Sequence, residues 1–245
     1  MWLAKLRSNL ITMPLIALAT SVMSTLSLLV SLWDSSGRSQ HRVARAWSRM
    51  LLRIAGVKVT VEGLERITPG GSYVFIANHS SYFDVPVILP WIPVQFRFLA
   101  NRNLFGVPFI GYHLRRAGHL PVDSASARES LRTMSEAARI VQQRGISILL
   151  FPEGGRSEGE LLPFKDGAAY IATRAGVPIV PIALSGTRGI LPLHSATVRP
   201  GRVRMRIGYP VETLDLGLQD RTRLTNALRE TMAELLEEAP AAARG

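Results

Sequence analysis

Residues 73–84 read Y-V-F-I-A-N-H-S-S-Y-F-D. The apolar run from Tyr73 to Ala77 reads as a strand, and the polar stretch beginning at Asn78 ends it. His79 and Asp84 are five apart. A regular helix would set them roughly 140° apart on different faces, so they meet only if the chain bends between them. Ser80 and Ser81 suit a turn and a helix start, and Pro86 suits a helix's first turn. The stretch therefore predicts a strand, a tight turn and a helix entry, with His79 just beyond a strand's carboxyl end. In an α/β fold that position lines a crevice. There an Asp carboxylate holds one imidazole nitrogen and leaves the other free to take a proton from a hydroxyl. The residues also allow a plain reading, as polar groups in a turn.

The pattern continues outward. Strand candidates are Val57 to Val61, Phe96 to Ala100, Ile146 to Phe151, Ile179 to Leu184 and Val203 to Ile207. Between them, residues 127–143 form an amphipathic helix led by Ser126 with Glu129 three residues on, the capping-box spacing. Further helices are expected over 167–175 and 220–237. Alternating strands and helices predict an α/β sandwich around a central sheet. The organisation expected is an N-terminal segment over 1–56, one domain over 57–238 and a frayed tail over 239–245.

Composition narrows the chemistry. The chain of 245 residues has no cysteine, which excludes disulfides, a thiolate nucleophile and a Cys-based zinc site. A formal charge of +11 favours an anionic partner: a membrane face, an acidic substrate or nucleic acid. Against nucleic acid, no recognised binding motif occurs, and the aromatics are not interleaved with the arginines. From Leu10 to Trp33 no charge interrupts a run long enough to span a bilayer. Ser and Thr dilute that run, and Pro14 falls in its first turns. Basic residues flank both sides, Lys5 and Arg7 before, Arg38, Arg42, Arg45 and Arg49 after, which opposes a single pass. The readings are a shallow or hairpin anchor, a single-span signal anchor, a cleaved signal, and a buried apolar helix; membrane association is the expectation. After a break at Asp34 to Ser39, Val43, Trp47, Met50, Leu51 and Ile54 recur at helical spacing.

A second segment, Phe151 to Ser157, reads F-P-E-G-G-R-S at the end of another apolar strand. Gly154 and Gly155 allow a ligand close to the backbone, and Arg156 offers a planar donor fork for phosphate. A Gly-rich turn with a solvent-facing Arg is the plain alternative. His41 is expected at the surface, and His113, His119 and His194 as structural residues. Arg199, Arg202, Arg204 and Arg206 are expected on one solvated strand face.

Together these blocks resemble the glycerolipid acyltransferases related to 1-acylglycerol-3-phosphate acyltransferase. N-H-S-S-Y-F-D resembles the family's His, four residues, Asp block. Leu104 to Tyr112, L-F-G-V-P-F-I-G-Y, resembles its second block, Phe151 to Ser157 its F-P-E-G-T-R-S block, and Val180, Pro181, Ile182 its last. Arg115 to Asp123 and F-K-D-G-A, Phe164 to Ala168, fit as well. The likeness covers roughly residues 57–209.

The resemblance implies an α/β fold with a central mixed sheet flanked by helices, behind an N-terminal membrane-associating segment. It implies acyl transfer from acyl-CoA or acyl carrier protein to the free hydroxyl of a lysolipid, most directly 1-acylglycerol-3-phosphate, giving phosphatidic acid. His79 would be the base and Asp84 its orienter; Glu153, Gly154, Gly155 and Arg156 would shape the acceptor site, with Arg156 on phosphate. No metal or cofactor is implied beyond the thioester co-substrate. The expected partners are the lysolipid, the acyl donor and the membrane surface, on the cytoplasmic face of the inner or plasma membrane, with no nucleic acid. Two departures stand out. Asn101 and Asn103 occupy positions where the family often has Lys and Glu, with Arg102 between them as a substitute cation, and Gly155 replaces a Thr. They bring in other acceptors, such as a lyso-ornithine lipid or another lysophospholipid. A noncatalytic basic lipid-binding protein is the alternative from a different class.

Overall fold

A computed structural model describes residues 2–108, 110–123 and 125–237. The tail expected at 239–245 and the last residue of the expected domain lie outside the described residues. The first helix, α1 (Trp2–Arg7), passes through a π-helical turn, Ser8–Thr12, into α2 (Met13–Val30). Pro14 has no N–H for the Leu10 carbonyl and its ring crowds it, which accounts for the widened turn just before it.

The chain then reverses. Asp34 accepts the N–H of Ser36 at 2.8 Å and of Ser39 at 2.7 Å, closing the turn that starts α3 (Arg38–Ala55). α2 and α3 pack as a helical hairpin, tied by Trp47 Nε1 donating to Thr20 Oγ1 at 3.1 Å. The sides of α1 and α2 are reversed relative to a soluble helix. Ser8, Thr12, Ala19, Ser27 and Ser31 face the protein, whereas Leu10, Ile11, Leu15, Leu18, Val22, Leu26 and Leu29 are exposed. Ala4–Val30 is long and apolar enough to cross a membrane.

The elements that follow are β1 (Val57–Glu62), β2 (Val74–Ala77), α4 (Asp84–Ile88), β3 (Phe96–Asn101), α5 (Ile110–Arg116), β4 (Leu120–Val122), α6 (Ala127–Arg144), β5 (Ser147–Leu150), α7 (Gly167–Ala175), β6 (Ile179–Ser185), α8 (Thr187–Ile190), β7 (Gly201–Ile207) and α9 (Arg221–Glu237). The strands form one sheet in the order β1-β7-β6-β2-β5-β3-β4. β6, β2, β5, β3 and β4 run parallel, while β7 is antiparallel to β6 and parallel to β1, so the sheet is mixed, as expected.

Burial explains which strands the sequence revealed. β2 and β5 are buried along their whole length and β6 along all but its last residue, which is why they read as unbroken apolar runs. β7 alternates: Val203, Met205 and Ile207 point inward, while Arg204 and Arg206 reach Glu62 of β1 at 3.1 and 3.0 Å. The short β4 was not expected. Its Pro121 confines it to the sheet edge, where it lies. One face of the sheet packs Phe75, Phe96, Leu149 and Ile182 against α3 and α4. The other packs Val74, Ile76, Ile148 and Ile179 against α6, α7 and α9.

Candidate active site

β2 lies at the sheet's centre: the chain leaves it for β3 and β4 on one side, then returns through β5 and crosses it to reach β6 on the other. A crevice opens beyond the carboxyl ends of strands at such a switch point. Asn78 fixes the end of β2 there, its Nδ2 donating to the Leu184 carbonyl at 3.0 Å and its Oδ1 accepting the Leu184 N–H at 2.7 Å. The next residue is His79.

The expected bend occurs. Asp84 is completely buried at the first position of α4, and its Oδ2 accepts the Ser80 and Ser81 backbone N–H groups, each at 2.8 Å. The same oxygen lies 2.7 Å from His79 Nδ1. An acceptor already holding two N–H donors fixes Nδ1 as a donor, so His79 Nε2 is the basic nitrogen. His79 lines the cavity, and Nε2 has no hydrogen-bond partner among the described residues. The two serines are engaged elsewhere: Ser81 Oγ donates to the Leu191 carbonyl at 3.0 Å, and Ser80 Oγ lies 3.0 Å from Thr187 Oγ1. Neither hydroxyl is presented to His79 as a nucleophile would be.

The second block builds the facing wall. The Phe151 ring stacks on His79 with centroids 3.9 Å apart. Buried Glu153 accepts the His79 backbone N–H through Oε1 at 2.7 Å and the Leu162 N–H through Oε2 at 3.0 Å; burial holds its carboxyl above the ordinary value. Ser157 donates its N–H back to the His79 carbonyl at 2.8 Å. Glu153 thus braces the backbone that carries the base.

Gly154 sits at φ +71, where a Cβ would fall 2.7 Å from Lys165 Nζ, whereas Gly155 has open space around it. The Arg156 guanidinium lies 3.8 Å from the centre of the Tyr82 ring and lines the cavity. Lys165, in F-K-D-G-A, is a site residue that the sequence reading did not single out; it lines the cavity with its ammonium beside Gly154 and makes no ion pair with the described residues. Asn101 and Asn103 reach the rim, with Asn101 Oδ1 accepting the Asn103 N–H at 2.9 Å. Arg102 points elsewhere and pairs with Glu129 at 2.6 Å and Asp123 at 3.2 Å.

The cavity is about 1170 Å³, with Val85, Leu89, Phe98 and Leu114 among its apolar walls. His41, expected at the surface, is buried and meets Phe96 edge-on with centroids 4.9 Å apart. Helical spacing along α3 could not show that α2 covers this side.

An imidazole held by a carboxylate, a glycine turn and an apolar cavity thus meet on one mixed α/β sheet. Residues 58–185 match the Acyltransferase family, and the chain belongs to it. It is similar to 1-acyl-sn-glycerol-3-phosphate acyltransferase of Cocos nucifera, 32% identical over 80% of this chain and 64% of that protein. The alpha form from Bos taurus is 31% identical over 80% of this chain and 70% of that one. The chain therefore spans less than two thirds of the coconut protein. The structure of the 1-acyl-sn-glycerophosphate (LPA) acyltransferase PlsC from Thermotoga maritima superposes with a TM-score of 0.81, covering 97% of this chain and 98% of that one at 25% identity.

Proposed function

We propose that the protein transfers a fatty acyl group from an acyl thioester, on coenzyme A or acyl carrier protein, to the free hydroxyl of 1-acylglycerol-3-phosphate. The observation that carries this reading is the 2.7 Å contact of His79 Nδ1 with Asp84 Oδ2 at the wall of the large apolar cavity. His79 Nε2 takes the proton of the lysolipid hydroxyl as its oxygen attacks the thioester carbonyl. The tetrahedral adduct then expels the thiolate, and the imidazolium returns the proton to sulfur. Asp84 holds the ring and favours the imidazolium that forms in between. No acyl-enzyme is needed, in keeping with Ser80 and Ser81 being turned to other partners. The names of the similar proteins support the acceptor. Arg156 and Lys165, both at the cavity, supply cations for its phosphate where Asn101 and Asn103 cannot.

The exposed apolar side of α1 and α2 supports a seat in one face of a bilayer, with the basic flanks against anionic headgroups on the cytoplasmic side. There the cavity meets an acceptor that does not leave the membrane. The test is thiol release and product mass with lysolipid and each donor, comparing the parent with His79→Ala. Undiminished transfer by the folded variant would refute the base.

A further inference from the structure

The cavity has a polar region that acyl transfer does not use. His41 of α3, His113 of α5 and His119, just before β4, line it together with Ser24 and Ser27 of α2. His41 is only 8% exposed; its Nε2 is sealed from the cavity without a partner, and its Nδ1, the nitrogen left to face an occupant, has no hydrogen-bond partner among the described residues either. His113 Nδ1 lies 2.6 Å from Ser27 Oγ, leaving Nε2 unpaired. His119 Nδ1 accepts the Phe98 N–H at 2.9 Å, which puts its own hydrogen on an unpaired Nε2. The His113 and His119 rings are 5.9 Å apart. Burial, with help from Arg97, holds His41 down to about 3 and His113 to about 4, so both imidazoles are neutral near pH 7. Among the described residues no group of three His, Asp or Glu could hold a metal ion.

Unpaired polar atoms against an apolar cavity are unfavourable unless its occupant pairs with them. A bare hydrocarbon chain cannot. A carboxylate lacks a free cation here, because the Arg97 guanidinium donates to the Ser36 and Phe96 carbonyls. A hydroxyl both donates and accepts, matching what a neutral imidazole offers.

We propose that His41, His113 and His119 form a hydroxyl-recognition subsite, which makes the protein selective for a fatty acyl chain bearing a hydroxyl group. The proposal rests on the acyl-transfer reading, and the chain could belong to the donor or to the lysolipid. The test uses the full chain in lipid vesicles with two panels, acyl thioesters and lysolipids. Each panel has one chain length, unsubstituted or with the hydroxyl moved stepwise along it. In one panel, one hydroxyl position should raise kcat/KM at least about tenfold over the unsubstituted chain. That panel identifies whose chain occupies the subsite. His41→Leu breaks no hydrogen bond with the described residues, and should reduce the preference to about one. If the parent is indifferent to, or rejects, every hydroxylated chain in both panels while transferring plain ones, the subsite is overturned and acyl transfer stands. If no chain is transferred, the activity reading fails. Thermal shift with free hydroxylated and plain fatty acids then decides: a larger rise with the hydroxylated acid, absent in His41→Leu, supports the subsite, and equal rises overturn it.

Discussion

The Glu153 carboxylate accepts the backbone N–H of His79 at 2.7 Å, across 74 positions of sequence. Because Oε2 also takes the Leu162 N–H, one side chain fixes both the base and the loop facing it. Glu153→Gln has one acceptor oxygen for two N–H groups, and should lose about 1–3 kcal/mol of stability along with activity. Burial raises the Glu153 carboxyl above 4.5, so in the parent the folded state is penalised as pH rises from 4.5 through the raised value. The parent's advantage over Glu153→Gln in denaturant melts should therefore shrink with rising pH.

Asp84→Asn replaces an acceptor of three hydrogen bonds and removes the charge that favours the imidazolium. It should lower kcat by about 10²- to 10⁴-fold with a smaller change in acceptor KM. Steady-state thiol release on the folded variant reads both.

The cations at the cavity divide into two kinds. Arg156→Ala and Lys165→Ala should each raise the acceptor KM more than the donor KM, whereas Arg102→Ala, already paired with Asp123 and Glu129, should leave both near the parent. The adjacent glycines should separate as sharply. Gly154→Ala forces a left-handed backbone and pushes Lys165 aside, costing about 1–2 kcal/mol and acceptor affinity, while Gly155→Ala is tolerated.

Acid should unfold the protein early. His41 and His113 stay neutral down to about 3 and 4 when folded but take a proton near 6.5 when unfolded. The unfolded chain then binds more protons, and stability falls as pH drops from 6.5 toward those values, by up to about 1.4 kcal/mol per pH unit for each group. His41→Leu should flatten that dependence in thermal melts.

Leu18→Asp and Leu26→Asp place charge on the exposed apolar side of α2. Each should weaken vesicle flotation, at a penalty of about 2.5–3.5 kcal/mol where the residue sits in hydrocarbon. Retained flotation would place this side away from lipid.

What the sequence revealed tracks what is local. The strand of Val74–Ala77, the bend forced by the His79 and Asp84 spacing, and the Ser126 cap, whose Oγ accepts the Glu129 N–H at 3.3 Å, all rest on neighbouring residues. Long-range partners were hidden. No pattern near Arg102 shows that Asp123 and Glu129 will capture it, or that Ser27 will cover His113 from 86 residues away. β4 escaped notice because three residues around a proline carry too little periodicity to read. The resemblance of the motif blocks supplied what periodicity could not, that separate strand ends converge on one crevice.

The central place of β2 divides the molecule into parts of unequal firmness. Val74 to Ala77 are laddered to β6, Val74 to Ile76 also to β5, while β4 closes the opposite edge with three residues. Amide hydrogens of β2 should exchange with deuterium only when the whole domain opens, and those of β4 far sooner through local fraying. His79 directly follows the firmest strand, whereas Asn101 pairs with Val122 on the edge that should fray first.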